Sequence, residues 1–231
     1  MTQRERVAVI VAHPDDEVLA FGGSMCRHAE LGHPVNVLIL ATGLAARTSD
    51  GKADLNDLKK LRDQARAANK ILGVQNVEFA DFPDNRMDTV ALLDVIKVIL
   101  SFIGKADPNI VYTHHHGDLN VDHSVMARAV MTACRPVPGS RVQKIYSGEV
   151  ISSSEYSLPQ DRFLPNTYVP ISAYIDRKCK ALQCYTSEIR DWPHPRSVEA
   201  VSALARLRGS ECGMPAAEGL YLLRDVMPSP A

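Results

Sequence analysis

Val7-Ala8-Val9-Ile10-Val11-Ala12-His13-Pro14-Asp15-Asp16-Glu17 is the stretch on which the fold turns. Its first five residues are apolar and mostly β-branched, the pattern of a strand buried on both faces. The run stops at His13-Pro14 and three acids follow at once. An imidazole and several carboxylates thus stand where a central strand ends, the usual ligand position in an open α/β sheet. Asp15 or Asp16 can simply cap the helix expected from about Val18, with Glu17 favourable in its first turn. Three adjacent acids exceed what a cap requires, and like charges packed so closely call for a cation. The mixture of nitrogen and oxygen donors suits a divalent metal, zinc above all.

Outward from this segment, strand signals recur at Val35 to Leu40, Val77 to Phe79, Asn109 to Tyr112, Lys144 to Tyr146 and Tyr168 to Pro170. Helical patterns lie between the first of these, at about Val18 to Leu31, Leu55 to Leu72, Val90 to Ile103 and His123 to Cys134. Gly32 and Gly73 close the first two helices. The alternation predicts the α/β class: a Rossmann-like three-layer sandwich with a mostly parallel central sheet. Right-handed crossovers then gather the ends of the first, second and fourth strands. Beyond Pro136 the pattern is broken by prolines and by Ser152-Ser153-Ser154, and two further helices are expected near Ile175 to Tyr185 and Ser197 to Gly209. The chain is therefore read as one domain, with a core over 1–135 and a C-terminal cap or tail over 136–231 that lines a substrate pocket or makes the contact between subunits.

Composition narrows the function. The chain has 231 residues, 45% of them hydrophobic, enough for a sizeable single core. A formal net charge of -1 supplies no field for nucleic acid. No apolar run is long enough to span a bilayer and no secretory pattern precedes the first strand, so a soluble cytoplasmic protein is the default expectation. The five cysteines form no C-x-x-C pair, and most read as small buried thiols.

A second cluster follows the fourth strand: Thr113-His114-His115-His116-Gly117-Asp118-Leu119-Asn120-Val121-Asp122-His123. Three consecutive histidines cannot all face one way, so one or two at most turn toward a site. His123 is the best ligand candidate because it opens a helix. Asp122 either orients an imidazole or caps that helix. His28 and His33 lie away from both loops and read as surface residues. Together His13, Asp16 and His123 offer two imidazoles and one carboxylate, which leaves a coordination position open, the mark of a catalytic zinc. Asp15 stays unligated beside them, able to accept a proton.

These residues resemble the PIG-L/LmbE-like zinc-dependent de-N-acetylases, whose members remove acetyl groups from N-acetylated amino sugars. The resemblance runs through Ala12-His13-Pro14-Asp15-Asp16-Glu17, Gly22-Gly23, Ala41-Thr42-Gly43, Ile71-Leu72-Gly73, Phe82-Pro83-Asp84-Asn85 and Gly117 to His123. Pro193-His194-Pro195-Arg196-Ser197 is similar to a sub-branch acting on sugars in polysaccharide or antibiotic pathways. The resemblance implies zinc on His13, Asp16 and His123, Asp15 as general base, a small N-acetylated sugar as substrate and a homo-oligomer. One departure matters. Many relatives carry a histidine three positions before the last ligand, thought to help hold the oxyanion or protonate the amine; here that position is Asn120. His194, rigid between two prolines, is the expected substitute, from its own chain or a neighbouring one, with His116 and His115 as others. Arg47, Asp84, Asn85 and Arg196 are candidates for holding substrate hydroxyls or an anion.

Three rivals remain at this point. A nucleotide-binding oxidoreductase shares the expected topology but needs a glycine fingerprint where His13 to Asp16 stand. A non-catalytic sugar- or metal-binding module has no use for Asp15. A different metal-dependent amidohydrolase or a phosphoesterase keeps the metal and changes the bond.

Overall fold

The computed structural model describes residues 4–43 and 54–227. Arg47 lies outside the described residues. Strand β1 (Val7–Val11) is wholly buried. Val7, Val9 and Val11 pack into one apolar cluster, and Ala8 and Ile10 into another on the opposite face. Each fully buried Val or Ile contributes roughly 1.5–3 kcal/mol. Such a strand can only be central. It pairs in parallel with β2 (Val35–Ala41) on one side and β4 (Ile110–His114) on the other.

β3 (Asn76–Phe82), β5 (Lys144–Gly148), β6 (Thr167–Pro170) and β7 (Ala217–Asp225) complete a seven-stranded sheet of order β3-β2-β1-β4-β5-β7-β6. The first five strands are parallel, and β7 runs antiparallel between β5 and β6. Helices α1 (Asp16–Glu30), α2 (Leu55–Leu72) and α5 (Ile175–Leu182) bury residues in one cluster. α3 (Leu92–Ala106) and α4 (Val121–Ala133) bury theirs in the other. α6 (Val198–Cys212) packs on β7. Gly73 ends α2 with φ 84°, the left-handed stop read from the sequence.

The segment after residue 135, read as a cap or tail on the same domain, contains the strands signalled at Lys144 to Tyr146 and Tyr168 to Pro170. It carries β5, β6 and β7 of the one continuous sheet, and β7 was not foreseen. Gly219 interrupts its apolar pattern and its far end is half-exposed, which hides the alternation. Glu218 on β7 accepts hydrogen bonds from the backbone N–H groups of Gly23 and Ser24 at 2.7 Å each. Lys178 Nζ lies 2.7 Å from the same carboxylate. This buried polar joint moors α1, whose first turn carries the site. His28 also corrects the sequence reading: it is buried, with Nε2 2.8 Å from the Tyr112 hydroxyl. Cys26 and Cys134 are buried thiols; Cys179, Cys184 and Cys212 are half-buried. No described helix is long and apolar enough to cross a membrane.

The strand order reverses between β1 and β4. The loops leaving their C-terminal ends therefore diverge around a crevice, the place where open α/β sheets bind ligands.

Candidate metal centre

His13 follows β1, and His123 lies in the first turn of α4, just after β4. Asp16 opens α1. The fold brings all three together. His13 Nδ1 is 3.3 Å from His123 Nε2, and Asp16 Oδ2 is 3.2 Å from each of those nitrogens. A tetrahedral ion with bonds of about 2.0–2.1 Å separates its ligands by roughly 3.3 Å. The triangle thus fits zinc, and its donor atoms converge closely enough to share one ion.

Each imidazole is backed by a carboxylate on its other nitrogen. His13 Nε2 is 2.9 Å from Asp122 Oδ2, and His123 Nδ1 is 3.2 Å from Asp118 Oδ1. Such backing fixes the tautomer and ring orientation of a metal-binding histidine. Asp122 is itself held by the N–H groups of Asn85 at 2.7 Å and Met87 at 2.9 Å. The helix cap is instead Asn120, whose Oδ1 accepts from the Asp122 N–H at 2.9 Å. Between the two roles open to Asp122, the structure selects ring orientation. A second donor group, His13 with Asp84 and Asp122, also converges. It offers one imidazole and two carboxylates and would take Asp122 away from orienting the His13 ring. The first triangle offers two imidazoles and one carboxylate with both rings backed, so it is the better zinc site.

The charges report the same crowding. Burial pulls the His13 imidazole down, but its bonds to Asp122, Asp16 and Asp84 outweigh that and hold it well above its ordinary value. For His123, burial is likewise outweighed, by Asp16 and Asp118, and the ring is pushed up to about 9. Burial raises Asp16, yet the fields of His123 and His114 bring it well below the usual carboxylate range. Asp15 goes the other way. Burial raises it, Arg196 only partly offsets this, and the charges of Asp16, Glu188 and Glu17 add to the rise.

Asp15 occupies the N-cap of α1 without making a side-chain cap bond, and its φ is 108°. A non-glycine residue in this region is strained, and such strain gathers at functional positions. Its Oδ2 is buried and has no hydrogen-bond partner, while Arg196 Nη1 stands 3.4 Å away. Glu17 holds the Asp15 N–H at 3.2 Å and is gripped by the Tyr185 hydroxyl and by Asn69. A cavity of about 80 Å³ opens here, lined by His13, Pro14, Asp15, Gly43, Asp84, Asn85, Asn120, Glu188 and Arg196.

The remaining candidates divide. Asp84, Asn85, Asn120 and Arg196 line the cavity. His194 does not: it is exposed, and its Nδ1 accepts from the Arg196 backbone N–H at 3.0 Å. His116 is exposed, edge-on to His115, and contributes no atom to the triangle or the cavity. His115 is buried against Phe163 and the Asp161 carbonyl, to which its Nε2 comes within 2.7 Å. The sequence reading missed His114, the inward-facing member of the trio. Its ring stacks on His123 at 3.9 Å, and its Nε2 accepts from the Ala12 N–H at 2.8 Å. Burial and the neighbouring His123 lower His114 to about 3, so it is a neutral wall. Alternation along β4 was the available signal, since Tyr112 and His114 share a face. Asp118, Glu188 and Tyr185 were missed because only tertiary packing brings them in.

The family model described as GlcNAc-PI de-N-acetylase, PIG-L, matches residues 8–134. The chain belongs to the PIG-L family. Among curated relatives of this PIG-L chain, the uncharacterized deacetylase YaiS of Escherichia coli K12 is 32% identical over 141 residues, 59% of this chain and 71% of the relative. The 4-oxalmesaconate hydratase of Pseudomonas putida KT2440 is 27% identical over 205 residues, 84% of this chain and 78% of the relative. The solved N,N'-diacetylchitobiose deacetylase of Pyrococcus horikoshii shares the fold, with TM-score 0.77 at 16% identity over 95% of this chain and 84% of that one. The PIG-L match spans both loops of the donor triangle.

Proposed function

We propose that this PIG-L protein is a zinc-dependent deacetylase that removes the acetyl group of an N-acetylated amino sugar, giving acetate and a free amine. The observation that carries the reading is Asp15 Oδ2, a buried carboxylate oxygen without a hydrogen-bond partner, beside a donor triangle of tetrahedral dimensions. His13, Asp16 and His123 hold the metal. When bound, zinc supplies Lewis acidity, lowering the pKa of water from about 16 toward ~7 and polarising a carbonyl.

The chain's own groups do the rest. Asp122 and Asp118 keep the two imidazoles turned inward. Asp15 takes the proton of the attacking water and later returns it to the leaving nitrogen. Glu17, through the Asp15 N–H, holds that loop in its left-handed turn. Asp84 and Asn85, on the cavity wall, suit sugar hydroxyls. The same proposal includes a homo-oligomer in the cytoplasm; sedimentation tests the first and fractionation the second.

A second reading is favoured by the match to a hydratase over 84% of this chain. Water activated at such a centre can add to an electron-poor C=C bond of an unsaturated oxo acid. One assay separates the two. Zinc-loaded protein is offered N-acetylated hexosamines, their nucleotide conjugates and glycosides, and separately conjugated oxo-dicarboxylates. The deacetylase reading expects primary amine and acetate in equal amounts, lost on chelation and restored by zinc. Loss of the conjugated C=C–C=O absorbance with no amine from any sugar would replace it with hydration.

A further inference from the structure

We infer that Arg196 donates an Nη2–H hydrogen bond to the acyl oxygen as it becomes negative, taking the part of the imidazole that position 120 lacks. The inference rests on the deacetylase reading for its reaction, but its geometry stands apart.

Asn120 is a poor substitute. Its Oδ1 caps α4 and one Nδ2 hydrogen goes to Asn85 Oδ1 at 3.0 Å, which leaves a single uncharged N–H where an imidazolium or guanidinium would bring a charge. His194 is exposed and spends Nδ1 on the Arg196 backbone. Among the described residues that line the cavity, Arg196 is the one that is always cationic.

The guanidinium is fixed before substrate arrives. Its Nε donates to Ser152 Oγ at 2.9 Å, and its Nη1 lies 3.0 Å from Glu188 Oε2 and 3.4 Å from Asp15 Oδ2. Nη2 has no hydrogen bond to any described residue, which leaves two N–H groups for a ligand. The supports are themselves forced. Ser152 has φ 94°, a left-handed conformation serine rarely adopts, and Glu155 holds its N–H with both carboxylate oxygens at 2.8 and 2.9 Å. Asp15 and Asn85 on the cavity wall are left-handed too. Strained backbone concentrated around one cation is what preorganised electrostatic stabilisation needs.

In the step, the water oxygen bonds to the acyl carbon and one water proton passes to Asp15. The carbonyl pair moves onto the oxygen facing Arg196. That pair then returns, the C–N bond breaks and Asp15 hands its proton to the nitrogen. Acetic acid and amine leave, and exchange of one proton between them gives acetate and an ammonium group. Arg196 keeps its protons throughout.

Arg196→Ala in the zinc-loaded protein tests this. The expected result is a kcat about 100- to 1000-fold lower with KM and zinc affinity unchanged, partly restored by added guanidinium. A rise in KM alone, with kcat intact, would make Arg196 a substrate anchor and overturn the inference. Methylphosphonate, a tetrahedral anion bearing the acyl methyl, gives a readout without turnover. Calorimetry should find it bound at least about tenfold more weakly by Arg196→Ala than by the wild type, on the scale of a charge-assisted hydrogen bond. Equal affinity overturns the inference whatever the sugars show. Weakened methylphosphonate binding by the variant, together with a wild type inactive on every N-acetyl sugar, would dismiss the deacetylase reading and leave the anion-stabilising role standing. Should Arg196→Ala not fold, Arg196→Lys, which lacks the fork joining Ser152 to the cavity, carries the same measurements.

Discussion

Asp122 Oδ2 lies 2.9 Å from His13 Nε2 across 109 positions of sequence. That contact turns the opposite nitrogen, Nδ1, toward His123 and Asp16. Asp122→Asn replaces an acceptor oxygen by a donor and invites the wrong His13 tautomer. Zinc affinity, measured by chelator competition, is expected to fall about 10- to 100-fold. An unchanged affinity would mean that the ring needs no orienting partner.

Asp15 combines strain with function. Asp15→Gly removes both the left-handed penalty of about 1–3 kcal/mol and a buried carboxylate. The zinc-loaded variant is expected to melt higher than the wild type while hydrolysing its substrate at least about 100-fold more slowly. Asp15→Asn should share the loss of turnover and keep the metal. Residual activity near the wild-type level in either variant would remove Asp15 from proton transfer.

His28 gives the fold a dependence on acid. Burial, with His33 and Arg27 nearby, lowers it from 6.5 to about 4. The unfolded chain therefore binds a proton between those values that the folded chain refuses. The stability is fully present above 6.5 and declines as pH falls through the window to about 4, by at most ~3 kcal/mol. His28→Gln should flatten that part of the urea-unfolding profile relative to the wild type. Parallel profiles for the two proteins would show that the ring does not titrate in this way.

Gly23 tests the mooring of α1. A Cβ there would lie 2.4 Å from Ile171 Cγ2. Gly23→Ala is expected to destabilise by about 1–3 kcal/mol through overpacking. Restoration by Gly23→Ala with Ile171→Ala would assign the loss to this contact; a double variant no more stable than the single one would assign it elsewhere.

What the sequence made legible is local chemistry at strand ends. His13 and Asp16 are three apart on a loop fixed by a buried strand, and His123 follows a second such strand, so their convergence is a matter of topology. Parallel order between β1 and β4 then suffices to bring them together. The rest depends on packing between distant elements. Nothing local marks His114 as the inward member of three histidines, or Tyr185 as the partner of Glu17. His194 depends on more than its own loop: two flanking prolines suggested a presented imidazole, and within this chain the loop lines the cavity with Arg196 and leaves the histidine exposed outside it. His28 was misjudged because its partner, Tyr112, comes from a strand 84 positions away.

β7 is the last strand among the described residues, yet it lies between β5 and β6 rather than at the rim of the sheet. During synthesis β6 leaves the ribosome before the strand it must pair with, and β5 keeps a bare edge until Ala217 to Asp225 emerge. The donor triangle is complete in the polypeptide by residue 123, whereas Arg196 is threaded out just ahead of that closing strand. The proposed metal ligands thus emerge early, whereas completion of the proposed site by Arg196 and closure of the bare β5 edge against edge-to-edge aggregation both wait for the late-emerging segment that carries α5, α6 and β7.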